Sequence, residues 1–108
     1  MFFSGLGWRS LDPREAVADV HSIDDRNMLI RIAYEAMHPE ARRMALIKLN
    51  DKNLTESFAL SDRSPIVRRR MVRMIDDREV LKRIIDNDSD RTVVSAACER
   101  MDFLNKQE

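Results

Sequence analysis

Residues Ser64–Asp77, with the sequence SPIVRRRMVRMIDD, carry a pattern that recurs along the chain at a fixed spacing of 26 residues. The reference positions are Pro65, Val67, Met71, Ile75 and Asp77. Their counterparts 26 residues earlier are Pro39, Ala41, Ala45, Leu49 and Asp51, and those 26 residues later are Arg91, Val93, Ala97, Met101 and Phe103. A period of about 20 to 50 residues is typical of stacked supersecondary units that bury one continuous core. The sequence therefore predicts a repeat architecture.

Three clear copies span about 26–51, 52–77 and 78–103, and each divides into two amphipathic helical patterns. In the first halves, apolar residues recur at i, i+1, i+4 and i+5, which is the spacing of one helix face. In the second halves they recur at i, i+4 and i+8, a stripe that we expect to face the neighbouring helices. The stripes are Ala41, Ala45 and Leu49, then Val67, Met71 and Ile75, then Val93, Ala97 and Met101.

Helix start signals recur at the same period. They are Asp25, Asp51 and Asp77 before the first helices, and His38, Ser64 and Asp90 before the second helices. A carboxylate or hydroxyl at such a position accepts hydrogen bonds from the unpaired amides of the first turn. Proline follows at positions 39 and 65, where its missing N–H costs nothing. These signals predict that each copy is a helical hairpin.

A fourth, degraded copy is predicted in residues 1–25. Asp12-Pro13 matches the start of the second helices, and Glu15 lies three residues after Asp12, as in a capping box. Glu15 and Asp19 occupy positions that are apolar in the inner copies. Polar residues there are expected in the terminal unit of a stack, which has no neighbour on one side.

Composition bounds the remaining possibilities. The 108 residues include 2 glycines and 3 prolines, which favours helices over a many-stranded sheet and predicts one domain. Nineteen basic and nineteen acidic side chains cancel, so net charge gives no attraction to nucleic acid or membrane. The single cysteine excludes an internal disulfide and a multi-cysteine zinc site, and no apolar run approaches the roughly 18 residues of a membrane span. We predict a cytoplasmic protein without a metal or cofactor.

The segments His38–Arg42 and Ser64–Arg68 resemble the second helix of HEAT repeats, and the resemblance spans essentially the whole chain. The 26-residue period looks more like compact bacterial HEAT-like or leucine-rich-variant repeats. The third copy departs from the motif at Arg91 and Val94, where proline and arginine are expected. The resemblance implies an all-α fold, a right-handed α-solenoid (α-α superhelix) of about four 26-residue helical hairpins within a single domain of residues 1–108. It implies a scaffold that binds macromolecules on the concave surface lined by the second helices.

The candidate partner-binding site is a patch of arginines on the second helices, opposite the buried stripe. It comprises Arg43, Arg69, Arg70 and Arg73. Arginine clusters bind carboxylates and phosphates through paired N–H groups, so the predicted partner is a protein or an acidic or phosphorylated peptide. The alternative is a nucleic-acid-binding protein that uses the same arginines on phosphates, and a few proteins of HEAT-like build act on DNA bases. The bland interpretation is a solvated helix face balanced by nearby acids such as Asp62, Asp76 and Asp77.

Little in the sequence favours catalysis. His21 and His38 have no evident catalytic partner, and His38 lies where a helix cap belongs. Acid pairs such as Asp76-Asp77 recur at the turns between copies and are interpreted as caps. Cys98 aligns with Leu46 and Val72, so we expect a small residue in the core or at its edge. We therefore predict a protein that is not an enzyme.

Two further expectations concern contacts between units. Arg42 and Arg68 occupy a position that in HEAT-like repeats points along the stack and bonds to loops of the next unit. The N-terminal apolar residues Phe2, Phe3, Leu6 and Trp8 either close the core at one end or leave an exposed end that pairs with another copy or a partner helix. Residues 104–108 form a polar tail.

Overall fold

The structure, a computed structural model, describes residues 7–107. This part of the chain contains a 3-10 turn at Gly7–Arg9, seven α-helices and no strand. The helices are α1 (Pro13–Ser22), α2 (Arg26–Glu35), α3 (Pro39–Leu49), α4 (Lys52–Ser61), α5 (Pro65–Val72), α6 (Arg78–Asn87) and α7 (Arg91–Lys106). The predicted all-helical class is confirmed. None of the helices described in this range is both long and apolar enough to cross a membrane.

The helices form two compact units, the first ending at Asp51 and the second beginning at Lys52. In the first unit, α2 and α3 pair as a hairpin, and α3 also packs against α1. In the second unit, α4 pairs with α5 and α6 pairs with α7, while α5 packs against α7. Each pair of helices corresponds to one predicted 26-residue copy. Within each unit, the second helices of successive copies therefore lie side by side.

The predicted stripes of the second helices form the core. Ala41 and Ala45 in α3, and Val67 and Met71 in α5, are completely buried. Val93 and Ala97 are equally buried in α7, although Met101 is only half-buried. Burial of a Val, Leu, Ile or Met side chain stabilises a fold by about 1.5 to 3 kcal/mol, so Val67, Met71 and Val93 each contribute substantially to the stability of the second unit.

The predicted caps are largely confirmed. Asp25, Ser64 and Asp77 each accept a hydrogen bond from an amide of the first turn of their helices. Asp90 accepts two such bonds, from Thr92 and from Val93. The local sequence signals therefore set where α2, α5, α6 and α7 begin.

Two predictions about caps in the first unit need correction. His38 precedes α3, but its side chain makes no cap hydrogen bond. Its Nε2 instead donates to the carbonyl oxygen of Ser10, 2.9 Å away, and so connects the loops before α1 and α3.

The capping box of Asp12 and Glu15 is also modified, because the hydroxyl of Ser10 lies between them. The Asp12 amide donates to Ser10 Oγ at 3.1 Å, and Ser10 Oγ donates to Glu15 Oε2 at 2.7 Å.

The degraded first copy begins with the 3-10 turn, where Trp8 is only 1% exposed. The Trp8 amide donates to Asp19 Oδ2 at 2.9 Å, which explains an acid at a position that is apolar in the inner copies. A Cβ on Gly7 would lie 3.0 Å from Cβ and Cγ of Asp19, so a larger residue here would push the Asp19 side chain away. Trp8 therefore belongs to the core of the first unit. The other N-terminal apolar residues of the prediction, at positions 2, 3 and 6, lie outside the described residues.

Two cations hold neighbouring second helices together in the same way in both units. In the first unit, Lys48 of α3 donates to the carbonyl oxygens of Val20, His21 and Ile23 at the end of α1. In the second unit, Arg100 of α7 donates from Nε to the carbonyl oxygen of Ile75, after the end of α5, at 2.8 Å. A cation at a helix C-terminus satisfies orphan carbonyls and opposes the negative end of the helix dipole. Lys48 and Arg100 occupy the same position in their copies.

Arg68 bridges two loops of the second unit, as predicted. Its Nη1 donates to the carbonyl oxygen of Asp62 at 2.7 Å, and its Nε donates to Asp88 Oδ2 at 2.8 Å in the loop of the next copy. Arg42, which takes the same position in α3, is 1% exposed and donates to the carbonyl oxygens of Ala36 and Met37. These arginines are structural.

The end of the chain differs from two expectations. We expected Cys98 in the core or at its edge, but it is exposed, although its counterparts Leu46 and Val72 are buried. Helix α7 packs against α5 and α6 through the side that carries Val93 and Ala97.

Helix α7 also continues to Lys106, into the residues predicted as a tail. Arg78 holds this last turn by donating to Leu104 O and Asn105 Oδ1, each 3.0 Å away.

Candidate functional site

Each unit has a groove between its two neighbouring second helices, at equivalent repeat positions. The groove of the first unit, between α1 and α3, has a volume of about 640 Å³, and we call it the apolar groove. Its lining residues are Pro13, Arg14, Val17, Ala18, His21, Glu40 and Met44. The groove of the second unit, between α5 and α7, has a volume of about 470 Å³, and we call it the arginine groove. Its lining residues are Arg69, Arg73, Arg91, Thr92, Ser95, Ala96 and Glu99.

Three arginines from the two sides of the arginine groove line it. Arg69 and Arg73 lie one turn apart at the end of α5, and Arg91 is the first residue of α7. Because α5 and α7 pack side by side, the start of α7 contributes a third cation beside the two of α5. Such a cluster of Arg side chains presents many N–H donors to a bound anion.

A chain of hydrogen bonds orients one of these cations. Arg69 Nη1 donates to Thr92 Oγ1 at 3.1 Å, and Thr92 Oγ1 donates to Asp90 Oδ1 at 2.5 Å. Donation by the Thr92 hydroxyl, together with the amides of Thr92 and Val93, lowers the pKa of Asp90 below its usual value. Asp90 accepts from the Thr92 hydroxyl, whose oxygen in turn accepts from Arg69, so the three side chains form one hydrogen-bonded chain at the surface.

The charges of the arginine groove are not neutralised within the described part of the chain. Arg73 and Arg91 make no hydrogen bond or ion pair there through their guanidinium groups, and the one side-chain partner of Arg69 is a neutral hydroxyl. By contrast, Arg68 and Arg100, on the same two helices, each form an ion pair with an aspartate. The second unit therefore separates its arginines into paired structural ones and unpaired ones that line a groove.

The structure brings together only part of the predicted arginine patch. Arg69 and Arg73 line the arginine groove, whereas Arg70, between them on α5, is half-buried and does not line it. Arg43 lies on α3 in the first unit, is half-buried, and is not among the residues that line the apolar groove. Arg91 lines the arginine groove but was not predicted as part of the site. The sequence signal for it was its place at the first helical position, where the other copies have proline.

The apolar groove is built from the same repeat positions but has a different chemistry. Val17 and His21 of α1 stand 52 residues, two repeat lengths, before Arg69 and Arg73. Val17, Ala18 and Met44 give the groove an almost entirely apolar lining. His21 and Glu40 both line this groove, but no Ser, Thr, Cys or Lys nucleophile is among its lining residues.

Within residues 7–107, no group of three or more His, Cys, Asp or Glu side chains is arranged to hold a metal ion. Comparison of the chain with protein-family models, with curated proteins and with solved structures gave no match. The function is therefore inferred from the repeat pattern and from the chemistry of the two grooves.

Proposed function

We propose that this chain is a non-catalytic protein-interaction module, a cytoplasmic right-handed α-solenoid of HEAT-like hairpins, which binds an acidic segment of a partner on the surface lined by its second helices. The observation that carries the proposal is the set of unpaired guanidinium groups in the arginine groove. The side-by-side packing of second helices within each unit, and the 26-residue period of the sequence, support the solenoid.

The unpaired cations favour a binding role over a merely solvated helix face. Like charges one turn apart on a helix, such as Arg69 and Arg73, destabilise it by about 0.2 to 0.5 kcal/mol. The chain has as many acidic as basic side chains, and it uses them to neutralise Arg68 and Arg100 nearby. An anionic segment of a partner would remove the repulsion in the groove and form charge-assisted hydrogen bonds with the free N–H groups.

The groove is large enough for part of a partner segment. Its volume of about 470 Å³ lies in the lower part of the range of roughly 300 to 1,000 Å³ that is typical of small-molecule sites, which leaves room for one or two side chains. Two packed helices fix the backbones that carry these cations. Arg73 and Arg91 are exposed and make no hydrogen bond or ion pair within the described part of the chain, so a bound anion would also order their side chains.

Selection from a displayed library of short peptides tests this proposal. We expect the intact chain to enrich acidic or phosphorylated peptides, and a triple variant carrying Arg69→Ala, Arg73→Ala and Arg91→Ala to bind them at least about tenfold more weakly. Arg83→Ala removes an exposed arginine from α6 in the same unit and is the matched control. Enrichment of peptides that bind both chains equally, or of none at all, would contradict the proposal.

Nucleic acid is the competing ligand, and a salt titration separates the two. Glu99 lines the arginine groove beside the cations and lowers the positive charge that a continuous run of phosphates would meet. We therefore expect no binding of single- or double-stranded DNA or RNA at low salt. Tight nucleic-acid binding that falls steeply with salt, and less steeply after Arg69→Ala and Arg73→Ala, would instead support the nucleic-acid function.

A further inference from the structure

The side of α7 that α5 and α6 leave open carries a line of apolar residues. Val94, Cys98 and Met101 are spaced i, i+4 and i+7, so they lie along one face of the helix. Cys98 is exposed, and Val94 and Met101 are half-buried. We call these three residues the end strip. They form a second apolar face of α7, beside the one that Val93 and Ala97 bury in the core.

The preceding copy shows what this face of the helix contacts. The counterparts of the end strip in α5 are Arg68, Val72 and Ile75. Val72 and Ile75 are buried, and Arg68 Nε donates to Asp88 Oδ2 in the loop of the following copy at 2.8 Å. These positions therefore face the copy that follows. In residues 7–107 no helix follows α7, so the end strip is the place where a further hairpin would pack against the second unit.

The end strip has the composition of a covered face rather than of a solvated one. The terminal unit of a repeat array needs a polar outer face when water covers it. Where the preceding copy has Arg68, however, the last copy has Val94. Ile85 of α6 likewise replaces the completely buried Ala59 with a larger apolar side chain, which is only half-buried. Apolar side chains at these positions indicate a contact surface.

The charged residues that flank the end strip can pair with those of a second copy. Arg91 and Asp102 stand 11 residues, about three turns, apart on the same flank of the strip. Both are exposed, and neither side chain makes a hydrogen bond or an ion pair within the described part of the chain.

The order of these charges along α7 favours an antiparallel pair of helices. If two α7 helices meet at Cys98, Arg91 of one copy lies seven residues before the meeting point and Asp102 of the other lies four residues after it. The remaining offset of three residues corresponds to about 4.5 Å along the helix, which an arginine side chain can span. Parallel pairing would instead bring Arg91 close to Arg91 and Asp102 close to Asp102, and like charges repel.

From the open apolar face and its charge pattern we infer that this chain forms a homodimer, in which the end strips of two copies pack against each other with their α7 helices antiparallel. Such a contact has two-fold symmetry, so it forms each interaction twice: Val94 packs against Met101, and Arg91 pairs with Asp102. The inference goes beyond the proposed function and does not depend on it. Because Arg91 also lines the arginine groove, dimerisation would lower the positive charge of that groove.

Sedimentation velocity of the intact chain over roughly 5 to 500 μM tests the inference. We expect the mass to rise with concentration from 12.7 kDa towards twice that value. Val94→Arg introduces the residue that the other two copies carry at this position, so the variant should fold, as circular dichroism melting would establish. It should weaken dimerisation at least about tenfold, because each copy would bring an unpaired charge into the contact. Ser57→Arg adds the same charge at an exposed position of α4 and should leave the dimer unchanged.

An exchange of charges tests the antiparallel direction. Arg91→Glu and Asp102→Arg should each weaken the dimer about fivefold, because each places like charges beside one another in both ion pairs. The double variant should recover the affinity of the wild type. Within one chain the two residues are about three turns apart, so only a contact between copies explains such a recovery.

The outcomes are distinct. A chain that stays monomeric up to about 500 μM would overturn the inference and leave the proposed function untouched, since peptide binding is measured separately. A dimer that Val94→Arg leaves intact would place the contact on another face, such as the N-terminal end, and would overturn the inference as well. Loss of the dimer in both single charge variants without recovery in the double variant would contradict the antiparallel pairing.

Discussion

The apolar groove and the arginine groove arise at equivalent repeat positions, yet one is lined by Val17, Ala18 and Met44 and the other by Arg69, Arg73 and Arg91. The helices on either side are arranged alike in the two units, and Lys48 and Arg100 tie them together in the same manner. We infer that the buried stripe determines where a groove forms, while the positions opposite the stripe determine what the groove can bind. Substitutions in the buried stripe should therefore destroy a groove, and substitutions of the lining residues should only alter its ligand.

The largest effect is expected from a charge in the buried stripe. Val67 is completely buried in α5, and Val67→Asp would place a carboxylate among apolar side chains without a partner. The cost is several kcal/mol out of a total stability of about 5 to 15 kcal/mol, so we expect the second unit to unfold or melt far below the wild type. Circular dichroism melting measures this. Ser57→Asp, at an exposed position of α4, is the control, and equal melting of the two variants would show that the buried face is assigned wrongly.

The second-largest effect on stability should distinguish Arg68, which holds two loops together, from Arg69, which lines the arginine groove. Arg68→Ala would leave the Asp88 carboxylate, whose side chain is 7% exposed, without its ion pair, at a cost of about 3 kcal/mol. Arg69→Ala removes the adjacent arginine and should change stability by no more than about 0.5 kcal/mol, as is usual for surface positions. Urea unfolding of both variants gives the two values. Similar losses of stability would contradict the separation into paired and unpaired arginines.

A smaller effect tests whether the two units are built alike. Lys48→Met and Arg100→Met each remove the cation that satisfies carbonyl oxygens at the end of the neighbouring second helix. We expect each to lower the free energy of unfolding by about 1 kcal/mol. The copy between them carries Met74 at this position, so methionine is compatible with the repeat. If only one of the two variants had a lower free energy of unfolding, the two units would not share this contact.

The smallest effect concerns pH. Hydrogen bonds from Thr92 lower the pKa of Asp90 in the folded state, so the cap contributes stability above the unfolded pKa of about 3.9. That contribution is lost as the pH falls through the lower pKa of the folded state. Asp90→Asn should therefore be less stable than the wild type at pH 6 and closer to it at pH 2.5, as judged by thermal melting. A difference that stays constant over this range would contradict the assignment.

The sequence was sufficient to predict whatever depends on local pattern. The stripe that contains Val67 and the caps Asp25, Ser64 and Asp77 were all predicted, because helix periodicity and capping involve residues within a few positions of each other. The same reasoning explains why the all-helical class was predicted.

Features that depend on distant partners were predicted poorly. His38 looked like a cap, but its ring finds the carbonyl oxygen of Ser10, 28 residues earlier in the chain. Arg91 looked like a departure from the repeat motif, but packing of α7 against α5 brings it to the arginine groove. Cys98 matched two buried residues but lies on the side of α7 that α5 and α6 leave uncovered. The repeat pattern describes the average unit, and these residues differ because their surroundings differ.

Titration of the isotopically labelled chain with an acidic peptide enriched from the displayed library, followed by amide and arginine side-chain NMR signals, tests binding in the arginine groove directly. We expect shifts that are concentrated in α5 and the first half of α7, including the Nε–H signals of Arg69, Arg73 and Arg91. Signals of the apolar groove, such as the amides of Val17 and Met44, should not move. Shifts in α4 and α6 with none in the arginine groove, or no shifts at saturating peptide, would contradict binding at this site.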